Sequence, residues 1–340
     1  MITALIVTYN RVEKLKVCLK HTLAQPFQHV IVVNNASTDC TAAYLDCLAR
    51  QDARLLVLHQ PQNLGGAGGF DAGLRAADQH LRGHGWVVLY DDDAYPAAHT
   101  IRAFTSQLER YEAESITGLA ARVLSPDGEV VEVNRPILNL FQRPAECLAI
   151  TRGQARNLRD LYHIPRSWIV NSDQTVRIQV DAISFVGLFL RLDGLPRLPK
   201  WRYPAPELFL GSDDTIYTLN LVRLGYILQF DPSLLFVHAS QTGHSGSDWL
   251  QPIWRHYYVL RNSFRLHWCL SKVWFLPLTI ITMLRHLLAA VRYARCRGSS
   301  RLFIVLLVAL WDGARGYYGR SFTNVVQLGQ AHGQRLSGSA

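Results

Sequence analysis

With 340 residues, 49% of them hydrophobic, the chain is long enough to bury a large core, as one big domain with an appendage or as two unequal domains. Its 35 Lys and Arg exceed its 26 Asp and Glu, giving a formal net charge of +9. No helix-turn-helix, zinc-finger or RNA-recognition signature accompanies that charge, so nucleic acid is not the expected partner. Six cysteines without a CxxC pair, and no signal peptide ahead of the first apolar run, predict a reduced cytoplasmic compartment.

In chain order, Ile2 to Val7 is an apolar run ending in Thr8-Tyr9-Asn10-Arg11, and a helical pattern spans Val12 to Leu23. A second run, Val30 to Val33, ends in Asn34-Asn35-Ala36-Ser37-Thr38-Asp39 and precedes a helical stretch from Cys40 to Ala49. Leu55 to His59 is the third run. The order βαβαβ predicts a parallel doubly wound sheet, and such sheets bind ligands at the carboxyl ends of their strands, where these polar clusters fall.

Asn63-Leu64-Gly65-Gly66-Ala67-Gly68-Gly69-Phe70 holds four glycines in five positions. It reads as a loop that admits a ligand close to the backbone, with N–H groups of the following helix facing phosphate or sugar oxygens; the alternative is a tight turn. Asp71 stands where the last glycine of G-x-G-x-x-G belongs, and no Gly-Lys-Ser/Thr follows, so neither a dinucleotide fingerprint nor a Walker loop is present. Trp86 to Tyr90 then reads as a buried strand delivering Asp91-Asp92-Asp93 to its end. In extended chain Asp91 and Asp93 point the same way and Asp92 elsewhere, so the outer pair reaches one cation. Oxygen ligands favour Mg²⁺ or Mn²⁺, the ions that accompany phosphates; a solvated acidic turn is the alternative.

Phe185 to Leu190 reads as a strand returning to the sheet, and Trp201-Arg202-Tyr203 lies in a proline-rich loop suited to stacking on sugar. Gly211-Ser212-Asp213-Asp214 precedes a helical run from Thr215 to Leu224. These acids are either helix caps or include a general base for an acceptor hydroxyl. His238 ends the run Leu234 to Val237 and is followed by a small polar stretch, residues 239–247. Alone it reads as structural; beside a carboxylate site it is a third metal ligand, and one that suits Mn²⁺ better than Mg²⁺.

From Lys272 to Ala340 nine basic residues face a single acid, Asp312, so +8 of the net charge lies there. Val273 to Val291 is interrupted by Pro277, Arg285 and His286, and Leu302 to Trp311 is half the roughly twenty residues a span needs, so neither predicts a membrane crossing. Apolar helices beside Arg and Trp predict a region lying on an anionic membrane face. The alternative is a helical bundle packed on the catalytic domain or in a homo-oligomer. The small-residue end, Ser337 to Ala340, is expected to fray.

Taken together, the chain resembles the GT-A, family 2 inverting glycosyltransferases, and within them most the bacterial galactofuranosyltransferases, over residues 2–262. The residues that carry the resemblance are Val7 to Arg11, Val33 to Asp39, Asn63 to Phe70 with Gly73, Asp91 to Ala94, Asp213-Asp214, His238, and Trp254 through Tyr257-Tyr258 to Arg261-Asn262. The resemblance implies an α/β GT-A fold, with a Rossmann-like, mostly parallel central sheet and a helical C-terminal extension. Residues 1–262 are then the catalytic domain and 263–340 the basic helical region. It implies transfer of galactofuranose from UDP-galactofuranose to a polysaccharide acceptor, lipid-linked or oligosaccharide, at the inner face of a bacterial cytoplasmic membrane. The alternatives are rhamnosyl transfer from dTDP-rhamnose and, in a different class, a noncatalytic glycan- or nucleotide-binding module. By the same resemblance Thr8, Tyr9, Arg11 and Asn35 belong to the nucleotide pocket. Asn63, Gly65, Gly66, Gly68, Gly69 and Asp92 border the donor. Asp91, Asp93 and His238 bind Mn²⁺ or Mg²⁺, with Asp91 also facing the donor; Asp214 is the base; and Trp201, Tyr203 and Asp213 meet the acceptor. Asn34 stands where the family usually has Asp, and Gly211-Ser212 stand where a tryptophan is common.

Overall fold

A computed structural model describes residues 1–155, 158–170, 177–239 and 252–330. The chain divides into two units, Met1–Pro206 with Tyr217–Ser240, and Glu207–Ile216 with Gln241–Ala340. The second unit thus takes in the short segment Glu207–Ile216, which holds Asp213 and Asp214, besides the C-terminal helices. The expected frayed end, and most of the polar stretch after His238, lie outside the described residues.

In the first unit strands β1 (Ile2–Thr8), β2 (His29–Asn34) and β3 (Leu55–His59) alternate with helices α1 (Val12–Leu23), α2 (Thr41–Ala49) and α3 (Gly65–His80), and β4 (Trp86–Asp91) follows. Then come β5 (Ala94–Pro96), α4 (Thr100–Ser106), α5 (Leu108–Ala113), β6 (Ile116–Leu124), α6 (Pro144–Thr151), α7 (Arg166–Val170), β7 (Ile178–Gln179), β8 (Leu188–Arg191) and α8 (Pro199–Arg202). Helix α9 (Asp213–Arg223), which enters this unit at Tyr217, leads into β9 (Ile227–His238). The strands form one sheet in the order β3-β2-β1-β4-β8-β6-β9-β5, with β7 also paired to β9. From β3 to β4 all pairings are parallel, as the βαβαβ order requires; β8 is antiparallel to both its neighbours, β6 and β9 are parallel, and β5 and β7 are antiparallel to β9. The whole is a mixed sheet.

The central strands are almost wholly apolar because both sheet faces are covered. Ala4 and Ile6 of β1 share one core with Trp86, Val88 and Tyr90 of β4 and with Leu15 and Leu19 of α1. The intervening residues Leu5, Val7, Val87 and Leu89 share the other with Phe70 and Leu74 of α3. The glycine run belongs to this packing: it is helix rather than loop from Gly65 onward. A Cβ on Gly69 would stand 2.5 Å from Val7 Cγ1, and one on Gly73 would strike Leu5 and Val33, so these residues let α3 sit close on β1 and β2. Two further strands differ from expectation for backbone reasons. β8 starts at Leu188, not Phe185, because Gly187 turns the chain with φ of 76°. β9 starts at Ile227, ahead of Leu234, because its pairing with β6 shifts register across Asp231-Pro232-Ser233, which a sequence pattern reads as a break.

The second unit holds α10 (Trp254–Leu270), α11 (Phe275–Arg297), α12 (Arg301–Ala314) and α13 (Phe322–Gly329) around a core that includes Tyr257, Tyr258, Ala290, Leu302 and Val305. Pro277 falls in the first turn of α11, where its missing N–H costs no intrahelical bond, so the expected interruption does not occur. The result is one 23-residue helix, with mean hydropathy 1.4 over its most apolar stretch, of which 17% is buried. By length and composition alone it is long and apolar enough to cross a membrane.

Candidate active site

Strand β4 lies beside β1 with Asp91 opposite Val7, so the three aspartates emerge next to Thr8. Asp92 and Asp93 turn the chain into β5 instead of continuing the strand, and partners rather than strand alternation set their directions. Asp92 is buried and accepts from Thr8 Oγ1 at 2.7 Å and from Arg11 Nη1 at 3.4 Å. Asp93 accepts from Lys14 Nζ at 3.0 Å and Arg11 Nη1 at 3.2 Å. Burial pushes the Asp91 carboxyl up to about 7, with the Asp93 charge adding to it. Burial likewise lifts Asp92 to about 6 against the pull of Arg11 and Thr8. Burial opposes ionisation of Asp93 too, but His238, Lys14 and Arg11 outweigh it and hold this carboxyl well below the usual range.

His238 reaches the aspartates because β5 pairs antiparallel with β9, setting Ala94 opposite His238. Its Nε2 lies 3.2 Å from Asp93 Oδ1, and its Nδ1 lies 2.7 Å from Asn134 Oδ1. Asn134 spends its Nδ2 on Ser184 Oγ at 3.0 Å, so its oxygen faces the imidazole and the Nδ1 proton is committed there. Nε2 and the carboxylate then need a proton or a cation between them. Among the described residues no three His, Cys, Asp or Glu side chains are grouped tightly enough to hold an ion as they stand. The donor chemistry nevertheless fits one: Asp91 makes no side-chain hydrogen bond among the described residues, is held up by burial and a like charge, and feels both Asp93 and His238. A divalent cation would relieve that repulsion using oxygen and imidazole ligands. Lys14 and Asn134 escaped the sequence reading. Lys14 carried a signal, a base one helical turn after Arg11, whereas Asn134 sits in a short turn with no local mark of function.

The loops after β1 and β2 are tied together beside this cluster. Asn10, at φ of 52°, donates its backbone N–H to Ser37 Oγ at 3.0 Å and accepts from Thr38 N at 2.7 Å. Tyr9 is half-buried, and Arg11 remains 42% exposed, so a cationic group faces outward next to the acids. Asn35 does not: it is buried, donates to Asn63 Oδ1 at 3.1 Å and Gly65 O at 2.9 Å, and accepts from Leu64 N at 3.0 Å. Asn63 in turn accepts from Gly65 N at 2.8 Å. Both asparagines are committed to the first turn of α3. Of the four glycines, Gly65, Gly68 and Gly69 are buried and Gly66 alone keeps part of its surface. Asn34, buried, is spent on Ser37 N at 3.0 Å and on His59.

Trp201 and Tyr203, expected at the acceptor, have local partners instead. The Tyr203 hydroxyl and the Arg202 guanidinium both bind Asp78, near the last turn of α3 and so roughly 20 Å along that helix from its Gly65 end. Arg75 covers the Tyr203 ring at 4.2 Å, and Lys200 stands over the Trp201 ring at 5.0 Å. This short segment fastens the far end of α3, away from Asp91 to Asp93.

In the second unit Asp213 and Asp214 open α9. Asp213 is buried; Asp214 is half-buried and accepts from Thr215 N at 2.6 Å. Just before them Phe209, Gly211 and Ser212 have φ of 63°, 85° and 60°, a left-handed path that needs outside support for the two residues other than glycine. Asn262 supplies it, its Nδ2 donating to the carbonyls of Leu208, Leu210 and Gly211 at 3.0, 3.0 and 2.8 Å. Arg261 Nη2 donates to Glu207 O at 3.0 Å and Leu208 O at 2.8 Å. The Arg-Asn pair of α10 thus presents the two acids.

A mixed sheet wound in this way, with acids at the end of its central strand and a helical C-terminal region, is the GT-A glycosyltransferase fold. Two solved structures share it: Staphylococcus aureus TarS residues 1–349, 15% identical over 93% of this chain and 82% of that one with a TM-score of 0.50, and GalNAc-T7, 10% identical over 93% and 58% with a TM-score of 0.51. Residues 3–165 match the family Glycosyl transferase family 2. Glycosyltransferase GlyG of Streptococcus pneumoniae serotype 4 is 28% identical over 120 residues. That match spans 35% of this chain and 38% of the relative.

Proposed function

We propose that the protein is an inverting glycosyltransferase that moves galactofuranose from UDP-galactofuranose to a glycan hydroxyl in the assembly of a cell-surface polysaccharide. The observation that carries the transfer reading is the contact of His238 with Asp93 beside Asp91, where buried like charges call for a cation. Those three residues would hold Mn²⁺ or Mg²⁺, which when bound supplies positive charge to a departing diphosphate. GalNAc-T7, similar in fold, was solved with UDP, GalNAc and Mn²⁺, in keeping with this reading. Arg11, half-exposed beside the acids, adds fixed positive charge for a phosphate oxygen. Asp214, more accessible than its buried neighbour Asp213, takes the proton of the acceptor hydroxyl. As that oxygen bonds the anomeric carbon, the bond from carbon to diphosphate oxygen breaks on the opposite face, so UDP leaves and the configuration inverts.

A donor panel of UDP- and dTDP-sugars, assayed with Mn²⁺ or Mg²⁺ and a lipid-linked acceptor mimic, tests this. Turnover is expected with UDP-galactofuranose. Turnover with dTDP-rhamnose alone assigns a rhamnosyltransferase, and binding of nucleotide without turnover of any donor assigns a noncatalytic module.

A further inference from the structure

Helix α11 carries its polarity on the wrong side for a helix surrounded by water. Its inward side presents Thr279, Thr282 and His286 to α10: His267 lies 3.0 Å from the Thr279 hydroxyl and 3.3 Å from that of Thr282, and the His256 and His286 rings are 5.7 Å apart. Its outward side carries Leu276, Ile280, Leu284, Leu287 and Leu288, each between 46% and 62% exposed. Steps of three and four residues put them on one stripe. The neighbouring α12 carries a second stripe, Ile304, Leu307 and Trp311, which are 49%, 65% and 63% exposed. A water-facing helix has the reverse arrangement, and an apolar surface this continuous marks an interaction site.

The charges around the stripes say what covers them. Arg285, Arg292, Arg295 and Arg297 of α11 are exposed, Arg315 stands over the Trp311 ring at 5.2 Å, and Lys272 stands over the exposed Trp268 at 5.6 Å. The one acid from residue 272 onward, Asp312, is buried and bound by Tyr257 and Arg320 at 2.6 and 2.8 Å, so it offsets none of that field. Pairing two copies face to face would set arginines against arginines. Anionic head groups supply the missing charge, and basic–aromatic pairs sit favourably at head-group depth.

We propose that the outward stripes of α11 and α12 are a docking face for the surface of an anionic lipid bilayer, in which the helices lie along the interface instead of crossing it. A crossing would draw α10 after α11, together with the Arg265–Glu207 ion pair at 2.7 Å and the Arg261 contacts, into hydrocarbon that solvates them poorly. The face is independent of which sugar is transferred.

The test is co-sedimentation of the full chain with phosphatidylcholine vesicles, with and without phosphatidylglycerol. The chain should bind the mixed vesicles, and alkaline carbonate should release it. The double variant Leu284→Glu/Leu288→Glu, altered only at exposed positions, should bind at least about tenfold more weakly, and Arg292→Glu/Arg295→Glu should lose the preference for phosphatidylglycerol. Circular dichroism and the thermal midpoint establish that each variant is folded. Failure of the wild-type chain to bind mixed vesicles, or retention through carbonate, overturns the proposal. A dimer in solution that Leu284→Glu/Leu288→Glu dissociates, with no vesicle binding, gives the face to a second copy and overturns it equally.

Discussion

In the first unit the apolar runs of β1, β2 and β4 are closed on both sides by helices, and what remains polar is collected at the strand ends, where Thr8, Asp91 to Asp93 and His238 meet. In the second unit the longest apolar helix turns threonine and histidine inward and leucine and isoleucine outward. The same kind of residue run is core in one place and exterior in the other. Apolar composition states how much surface avoids water; what a helix packs against decides whether protein or another phase covers it. If so, damage to the first unit's strand ends should abolish chemistry while sparing the fold, and damage to the packing seams should do the reverse.

The largest effect is expected at the acids. Asp93→Ala or Asp91→Ala should lower turnover by about 10³-fold or more, because a departing diphosphate would lose its charge balance. Asp91→Ala also removes a buried carboxylate repelled by Asp93, so its thermal midpoint should not fall. Full wild-type activity in excess EDTA would rule the metal role out. Next in size, Asp214→Asn should keep nucleotide-sugar binding and lose about 10²-fold in turnover, the scale of general-base contributions, with Asp213→Asn milder. Reversal of that order moves the base to Asp213.

These acids could be read in the sequence because a charged triplet after an apolar run has few bland explanations, and the parallel half of the sheet because its runs are short and regularly spaced. The remainder depended on contacts remote in the chain. Asn134 meets His238 across 104 residues. Asn35 looked like a nucleotide contact, but its amide is spent on Leu64 and Gly65, a pairing that no local pattern announces. Tyr203 has the composition of a sugar platform, yet Asp78 claims its hydroxyl. The glycine run has two uses that sequence does not separate, since small residues serve close helix-on-sheet packing as well as they serve a ligand. On α11, Pro277 marks a break only in mid-helix, and it stands in the first turn.

The third prediction separates those two uses of glycine. Gly69→Ala puts a methyl 2.5 Å from Val7 Cγ1 and 3.2 Å from Cγ2, so α3 must move off β1. Overpacking of this kind costs about 1–3 kcal/mol, readable as a lower denaturant midpoint in the absence of ligand. Should stability stay unchanged while donor affinity collapses, the run serves the ligand and the contrast between packed and polar ends of this unit is weaker than drawn.

The smallest effect probes the polar seam of the second unit. His267 of α10 is buried against Thr279 and Thr282, and burial pulls its pKa from an ordinary 6.5 down to about 4. The unfolded chain therefore binds a proton that the folded chain refuses between those two values. Stability from this residue is fully present above about pH 6.5 and is lost as the pH falls toward 4. Between pH 7.5 and pH 5 that loss amounts to about 2 kcal/mol, given 1.36 kcal/mol per unit of pKa. Among the described residues no histidine lies in the β1–β4 pairing, which runs from Ile2 opposite Trp86 to Val7 opposite Asp91. Hydrogen exchange at about pH 5, corrected for its intrinsic rate, should therefore quicken in α10 and α11 and leave β1 and β4 as protected as at neutral pH. His267→Asn should weaken the dependence and His267→Asn/His286→Asn should flatten it, because burial pulls His286 of α11 down to about 4 as well. If α10 and α11 hold their protection at low pH in the unaltered chain, the seam is less tightly closed than the 6% exposure of His267 indicates, and the inward polarity of α11 is hydrated instead of packed.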